Sequence, residues 1–236
     1  MLRYQIIAEI GQNHCGDINL AEYLIAQAKL NGANSVKFQL YDSVELYGQK
    51  QAEELTFNQA EHLFDYGMKQ GIDVFFSVFD KERVDWCREI GVHTYKIAAS
   101  QSRNTELIEY AGFNDACVII STAWEPHSLP IWMWNYIWLR CVPQYPADIM
   151  DYHMAMFDFG LTPADWKLRR PNSSISGISD HTIGLDAAKI ALARGALIIE
   201  KHFAIDHKTG VDAAWSMTPD ELGELRRWAD KIKEAL

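Results

Sequence analysis

Apolar residues in this chain gather in short β-branched runs, separated by stretches in which they recur every three to four positions. The runs are Tyr4–Ile10, Ser35–Leu40, Asp73–Val78, His93–Ile97, Ala116–Ser121, Ile137–Val142, Ser174–Ser179 and Leu197–Phe203. Several are apolar throughout instead of alternating, as parallel strands covered on both faces are. The helical spacing predicts helices over Leu20–Leu30, Thr56–Gln70, Lys81–Ile90 and Leu185–Arg194, with glycine stops at Gly32, Gly71, Gly91 and Gly195. A last helix starts at Thr218-Pro219-Asp220-Glu221. There Thr218 is an N-cap, Pro219 suits the first helical position, and the two acids favour the positive helix end. The stretch Ala147–Pro171 is the least patterned and predicts only a short helix near Pro163–Arg169.

Strands alternating with helices predict a parallel sheet. Eight of them predict an α/β fold, a single (β/α)8 TIM barrel over residues 1–236, with an open doubly wound sheet as the alternative. No glycine-rich fingerprint follows the first strand, which tells against a dinucleotide-binding version of that alternative. The length agrees, because such barrels take about 200–250 residues.

Composition then narrows the partners. The net charge is -10, from 32 acidic and 22 basic residues. Such a chain is a poor partner for nucleic acid, whose backbone needs clustered Lys and Arg. No run of about 18 apolar residues predicts a membrane span, and the N-terminus lacks the flanks of a signal peptide. Cys15, Cys87, Cys117 and Cys141 are far apart and form no CxxC pair. They predict neither structural zinc nor a disulfide framework, so the expected compartment is the cytoplasm.

In a barrel of this kind the chemistry sits at the C-terminal ends of the strands. Here those ends carry Glu9, Lys37, Lys96, His181, Glu200 and His202, with Gln39, Ser121, Tyr145 and Ser179 beside them. Burying such charges unpaired costs several kcal/mol or more. Two lysines, two glutamates and two histidines at one mouth therefore point to a site for an anion and a metal. His181 and His202 close adjacent strands and can share an ion. Lys37 and Lys96 suit phosphate or carboxylate. Lys201, between Glu200 and His202, reads as structural. His62, His93, His127, His153 and His207 have no constellation, and Trp132, Trp134 and Trp138 read as core or interface. Asn172-Ser173-Ser174 matches a glycosylation acceptor that a cytoplasmic protein does not use.

These segments resemble the N-acetylneuraminate (sialic acid) synthase family. The resemblance lies in Ile7-Ala8-Glu9-Ile10-Gly11 with Asn13-His14-Cys15-Gly16-Asp17, and in Val36-Lys37-Phe38-Gln39 and Tyr95-Lys96-Ile97-Ala98. It continues through Cys141 with Tyr145-Pro146, Gly177–Gly184, Ile199-Glu200-Lys201-His202-Phe203, and Gly210-Val211-Asp212 with Ser216 and Pro219–Leu222. It implies condensation of phosphoenolpyruvate with a hexosamine-type aldehyde, N-acetylmannosamine or an analogue, to a nonulosonic acid and phosphate. It implies a divalent metal, typically Mn with Mg, Co or Zn as alternatives, on His181 and His202. It implies phosphoenolpyruvate near Lys37, Lys96, Ser121 and Ser179, and the acceptor sugar and metal near Glu9, Gln39, Tyr145 and Asp212. Asn13 and Glu200 complete the candidate substrate-binding set.

The chain also departs from that family. The segment Ser77-Val78-Phe79-Asp80 is shorter than the usual strand-three ending, Ala99 replaces a serine, and Gln101 replaces an acid. Pro143 stands for an asparagine and Ala213 for a histidine. The sequence ends at Leu236, where the family usually continues into an antifreeze-like capping domain. The resemblance thus leaves open a homodimer and a capping domain on a separate polypeptide. The alternative functions are a catalytically reduced sugar- or metal-binding barrel and a metal-dependent sugar aldolase or isomerase.

Overall fold

The computed structural model describes residues 4–123, 135–154 and 175–235. Eight strands form a closed, all-parallel barrel in chain order, sealed by pairing of the first with the last. They are β1 (Gln5–Gly11), β2 (Ser35–Leu40), β3 (Asp73–Val78), β4 (Thr94–Ile97), β5 (Cys117–Thr122), β6 (Tyr136–Cys141), β7 (Ile175–Asp180) and β8 (Ile198–His202). The expected TIM barrel is therefore the fold, and each expected strand lies within two residues of an observed one.

Around the barrel run α1 (Ile18–Leu30), α2 (Ser43–Tyr47), α3 (Phe57–Gln70), α4 (Lys81–Ile90), α5 (Thr105–Ala111), α6 (Asp186–Ala193) and α7 (Pro219–Ala235). Their ends follow from local chemistry. Asp17 caps α1 by accepting from the Asn19 and Leu20 amides, which starts that helix before the apolar pattern shows. Thr56 and Gln59 form a capping box on α3, and Gly71 and Gly91 end α3 and α4 with positive φ that side-chain-bearing residues resist. Thr218 and Glu221 cap α7 reciprocally. The buried stripe of α1 is Ala21, Leu24, Ile25 and Ala28, the 3.6-residue period by which the sequence revealed it.

Two helices escape the sequence pattern. α2 is one short turn held between the Asp42 cap and Gly48, and α5 is short, with Asn104 capping it and Leu107, Ile108 and Ala111 buried. The helix expected near Pro163–Arg169, together with His127, Trp132, Trp134 and Asn172, lies outside the described residues. Trp138 is buried on β6, as a core residue is.

Strand alternation sorts the polar residues of the last two strands. Ser179, Glu200 and His202 face the barrel mouth, while Asp180 and Lys201 face outward. Lys201 Nζ lies 3.2 Å from Asp180 Oδ2 and donates to the Thr182 carbonyl at 2.6 Å, with both side chains fully buried. Lys201 is thus structural, and it ties β8 to the loop after β7. Closer to the barrel floor, a Cβ on Gly177 would lie 1.8 Å from the Ile198 carbonyl oxygen, so only glycine lets β7 and β8 meet there. Among the described residues, no helix is long and apolar enough to cross a membrane.

Two stability measurements check this reading. Lys201→Met leaves the Asp180 carboxylate buried without its cation, and chemical denaturation should show a loss of about 3–5 kcal/mol. Gly177→Ala should cost about 1–3 kcal/mol or more by the same method, because backbone must move to admit the methyl.

Candidate active site

The register of the strands assembles the site. Glu9 pairs with Lys37 on one side and His202 on the other, Gln39 lies beside Ser77, Ser77 beside Lys96, and Ser179 beside Glu200. All of these but Gln39 line a small cavity of about 50 Å³ at the C-terminal mouth. Its lining includes Glu9, Lys37, Lys96, Ser121, Glu200 and His202. A larger cavity of about 520 Å³ opens at the other end of the barrel, but its walls are mainly apolar, with Ile7, Phe75, Ile119 and Ile198 among them. Concentrated polar chemistry, not volume, marks the site.

Four buried charges form its base. Lys37 Nζ contacts the Glu9 carboxylate and donates to Ser77 Oγ at 2.8 Å. Lys96 Nζ lies 3.4 Å from Glu200 Oε1, which also accepts from Ser179 Oγ at 2.9 Å. Gln39 donates to Glu9 Oε1 at 3.2 Å. Burial pushes the Glu9 carboxyl up to about 7, against the pull of Lys37. Burial also acts on Glu200, but Lys96 and Lys37 outweigh it and hold that carboxyl below its ordinary value. Burial lowers Lys96 as well, with Glu200 opposing. Ser121 Oγ is buried at the same cavity with no hydrogen-bond partner among the described residues.

The two histidines sit beside this base, their ring centroids 5.6 Å apart. Burial pushes His181 down to about 4 and His202 well below the usual imidazole range, so both rings are neutral near pH 7. His181 Nδ1 is 2.7 Å from the Val142 carbonyl oxygen, which can only accept, so the proton is on Nδ1 and Nε2 carries the lone pair. That nitrogen lies 3.3 Å from Ser179 Oγ. His202 Nδ1 lies 3.3 Å from Asp212 Oδ2 but makes no aligned hydrogen bond. Burial raises the Asp212 carboxyl to about 6, opposed by Lys37.

A divalent cation can be tested against this donor set. Two buried, neutral imidazoles, one with its second nitrogen bonded to a carbonyl, are what such an ion requires of histidine ligands. His202 Nδ1, which faces the Asp212 carboxylate without an aligned hydrogen bond among the described residues, fits the same reading. Among the described residues, however, no group of three or more His, Cys, Asp or Glu side chains is arranged to hold a metal. The residues fit an ion with two protein nitrogens, its other positions left to water or substrate oxygens.

The remaining expected residues fall in different places. Tyr145 stands half-exposed at the mouth, stacked on His181 at 4.3 Å and edge-on to His202 at 5.8 Å. Asn13 is fully buried and spent on protein: its Nδ2 donates to the Phe203 carbonyl and to Ser216 Oγ, both at 3.0 Å, and its Oδ1 accepts from the Asp212 amide at 2.8 Å. It therefore braces the loops after β1 and β8 instead of offering its amide to a ligand. His62 and His207 form surface pairs with Glu22 and Glu221.

The departures also sort by position. Val78 is buried next to Ser77, whose hydroxyl is the one that meets Lys37, and Ala213 is buried in the turn after Asp212. Ala99, by contrast, lines the cavity beside Ala98, and no hydroxyl stands where the resemblance implies a serine. Sequence reasoning left out Ser77, Tyr152 and Trp215. Ser77 was visible as a polar strand end. Trp215, whose ring lies 6.0 Å from Tyr145 and 6.5 Å from His202, was visible only as an aromatic near Asp212.

Known proteins resemble this chain along most of its length. The chain is 29% identical to the N,N'-diacetyllegionaminic acid synthase of Legionella pneumophila, over 93% of this chain and 69% of that protein. It is 28% identical to the N-acetylneuraminate-9-phosphate synthase of Mus musculus, over 98% of this chain and 70% of that one. The crystal structure of the N-acetylneuraminic acid (sialic acid) synthetase of Leptospira borgpetersenii superposes with a TM-score of 0.83 at 30% identity, covering 99% of this chain and 85% of that one. Residues 24–236 match the NeuB family, so the chain belongs to that family and is an enzyme of its synthase kind.

Proposed function

We propose that this chain, read as one barrel domain over residues 1–236, is a cytoplasmic synthase that condenses phosphoenolpyruvate with a hexosamine-type aldehyde. The products are a nonulosonic acid and phosphate. The observation that carries the reading is the buried quartet Glu9, Lys37, Lys96 and Glu200 facing the neutral pair His181 and His202 across one small cavity. The names of the Legionella and mouse relatives and of the Leptospira structure supply the acid product.

In this reading Lys37 and Lys96 hold the phosphate and carboxylate of phosphoenolpyruvate. Both already face a carboxylate, so a bound anion shares cations that were never free, and binding costs less desolvation than for bare buried lysines. Ser121 and Ser179 offer hydroxyls to the same anion. Gln39 and Glu9 meet the aldehyde end, where a carboxyl near 7 can hold or release a proton at the carbonyl oxygen at neutral pH. His181 and His202 would hold a divalent metal, Mn by the family resemblance, with Asp212 beside them; when bound it would supply Lewis-acid polarisation of the aldehyde. The enol carbon bonds to the aldehyde carbon, water adds at the carbon bearing phosphate, and that C–O bond then breaks. Lys37 and Lys96 stand where negative charge grows as phosphate leaves. Tyr145, half-exposed, offers an aromatic face to the sugar at the mouth.

Ala99 favours a second reading. With no hydroxyl at that position, the cavity has fewer donors for an anion, as in a barrel that binds metal or sugar but no longer turns over.

Phosphate release from phosphoenolpyruvate, with Mn and a panel of N-acylated aldehyde sugars, tests the proposal. Turnover on at least one acceptor is expected, lost with a chelator and restored by Mn. A folded, metal-loaded protein inert on every acceptor overturns it, and calorimetry showing sugar binding without phosphoenolpyruvate binding then selects the second reading. Ser121→Ala should raise KM for phosphoenolpyruvate by about 10–100-fold, the worth of one hydrogen bond to a charged group. Its thermal midpoint should stay near that of the parent, because the hydroxyl has no partner to lose among the described residues.

A further inference from the structure

The loop that follows β6 holds His181 from several sides at once. The Val142 carbonyl accepts from ring Nδ1 at 2.7 Å, and the Tyr145 ring stacks on the imidazole at 4.3 Å. The Ala147 amide donates to the His181 carbonyl at 3.0 Å. The Tyr152 hydroxyl accepts from the His181 amide at 3.0 Å and donates to the Ser179 carbonyl at 2.7 Å. Of the polar atoms of His181, only Nε2 is left to the cavity.

Tyr152 is the unusual member of this grip. β7 ends at Asp180, so the His181 amide lies beyond the regular ladder and needs another acceptor. Tyr152 supplies it from a short 3-10 turn, Ile149–Tyr152, with its whole side chain buried. Its two bonds fix the main chain on both sides of Asp180, whose own carboxylate is anchored to Thr182 and Lys201. Ser179, the other residue that Tyr152 holds, is the one whose hydroxyl reaches Glu200 and approaches His181 Nε2. One hydroxyl thereby sets the place of two cavity residues from outside the lining of that cavity.

We propose that Tyr152 is a positioning residue: through the Ser179 carbonyl and the His181 amide it fixes the direction of His181 Nε2, and with it the affinity of the site for a divalent cation. The inference rests on the reading of His181 as a metal ligand given above.

Tyr152→Phe in the full chain tests it with two readouts. Binding of Mn(II) alone, followed by the electron paramagnetic resonance signal of the free ion, should weaken about tenfold or more, the usual effect of losing a group that orients a ligand. The ring nitrogen signals of His181, assigned with His181→Gln in histidine-labelled protein, should leave the Nδ1–H form for an average of tautomers. A purely structural tyrosine would lower the thermal midpoint and leave both readouts unmoved, and that result in folded Tyr152→Phe overturns the proposal. If the parent protein takes up no Mn(II), the metal reading falls, and the ring signals alone decide whether Tyr152 positions His181. Should Tyr152→Phe fail to fold, 3-fluorotyrosine at position 152 changes the strength of both bonds without changing the ring's shape. A shifted His181 amide signal with altered Mn(II) affinity is then expected, and unchanged values overturn the inference.

Discussion

The mouth of this barrel depends on one constraint: a charge taken out of water must meet its opposite. Lys37, Lys96, Glu9 and Glu200 are all buried, and each cation faces a carboxylate across the closed end of the sheet. Breaking such a pair leaves a bare charge in a poorly polarisable interior, which is far worse than never having buried the pair. The rest of the site follows from that requirement. Ser77, Ser179 and Gln39 add hydrogen bonds to Lys37, Glu200 and Glu9. Gly11 adopts positive φ beneath Glu9, where a Cβ would come within 2.8 Å of its carboxylate oxygen.

The same constraint acts in two layers. Toward the mouth it gives a polar, neutralised cavity beside two uncharged imidazoles. Toward the helices it gives the Lys201–Asp180 pair, which has no access to the cavity and serves to lock β8 against the loop after β7. Because side chains alternate along a strand, the runs Ser179-Asp180-His181 and Glu200-Lys201-His202 contribute to both layers in turn. A compact motif therefore mixes residues whose loss removes chemistry with residues whose loss removes stability.

Much of this was legible in the sequence. Fully covered parallel strands leave continuous apolar blocks, and those blocks place all eight strands to within two residues. Lysine, glutamate and histidine at the ends of such blocks stand out because nothing about packing calls for them. What was not legible has physical reasons as well. α2 and α5 are too short to show a period and depend on the caps Asp42 and Asn104. Asn13 reads as a ligand-binding amide until its partners are known, and all of them are protein atoms on distant segments. Tyr152 lies in the least patterned stretch, and its importance lies in which two backbone atoms its hydroxyl meets 27 and 29 residues away.

The close approach of Gly177 to Ile198 has a further consequence. β7 and β8 are drawn together at their base, and the register from there runs unbroken to Ser179 beside Glu200 and Asp180 beside Lys201. The ladder thus fixes the backbone under Ser179 and Glu200, while that of His181, one residue beyond it, is held by the Tyr152 hydroxyl. A substitution that loosens the base of these two strands therefore reaches the cavity through the sheet, without altering a residue that lines it.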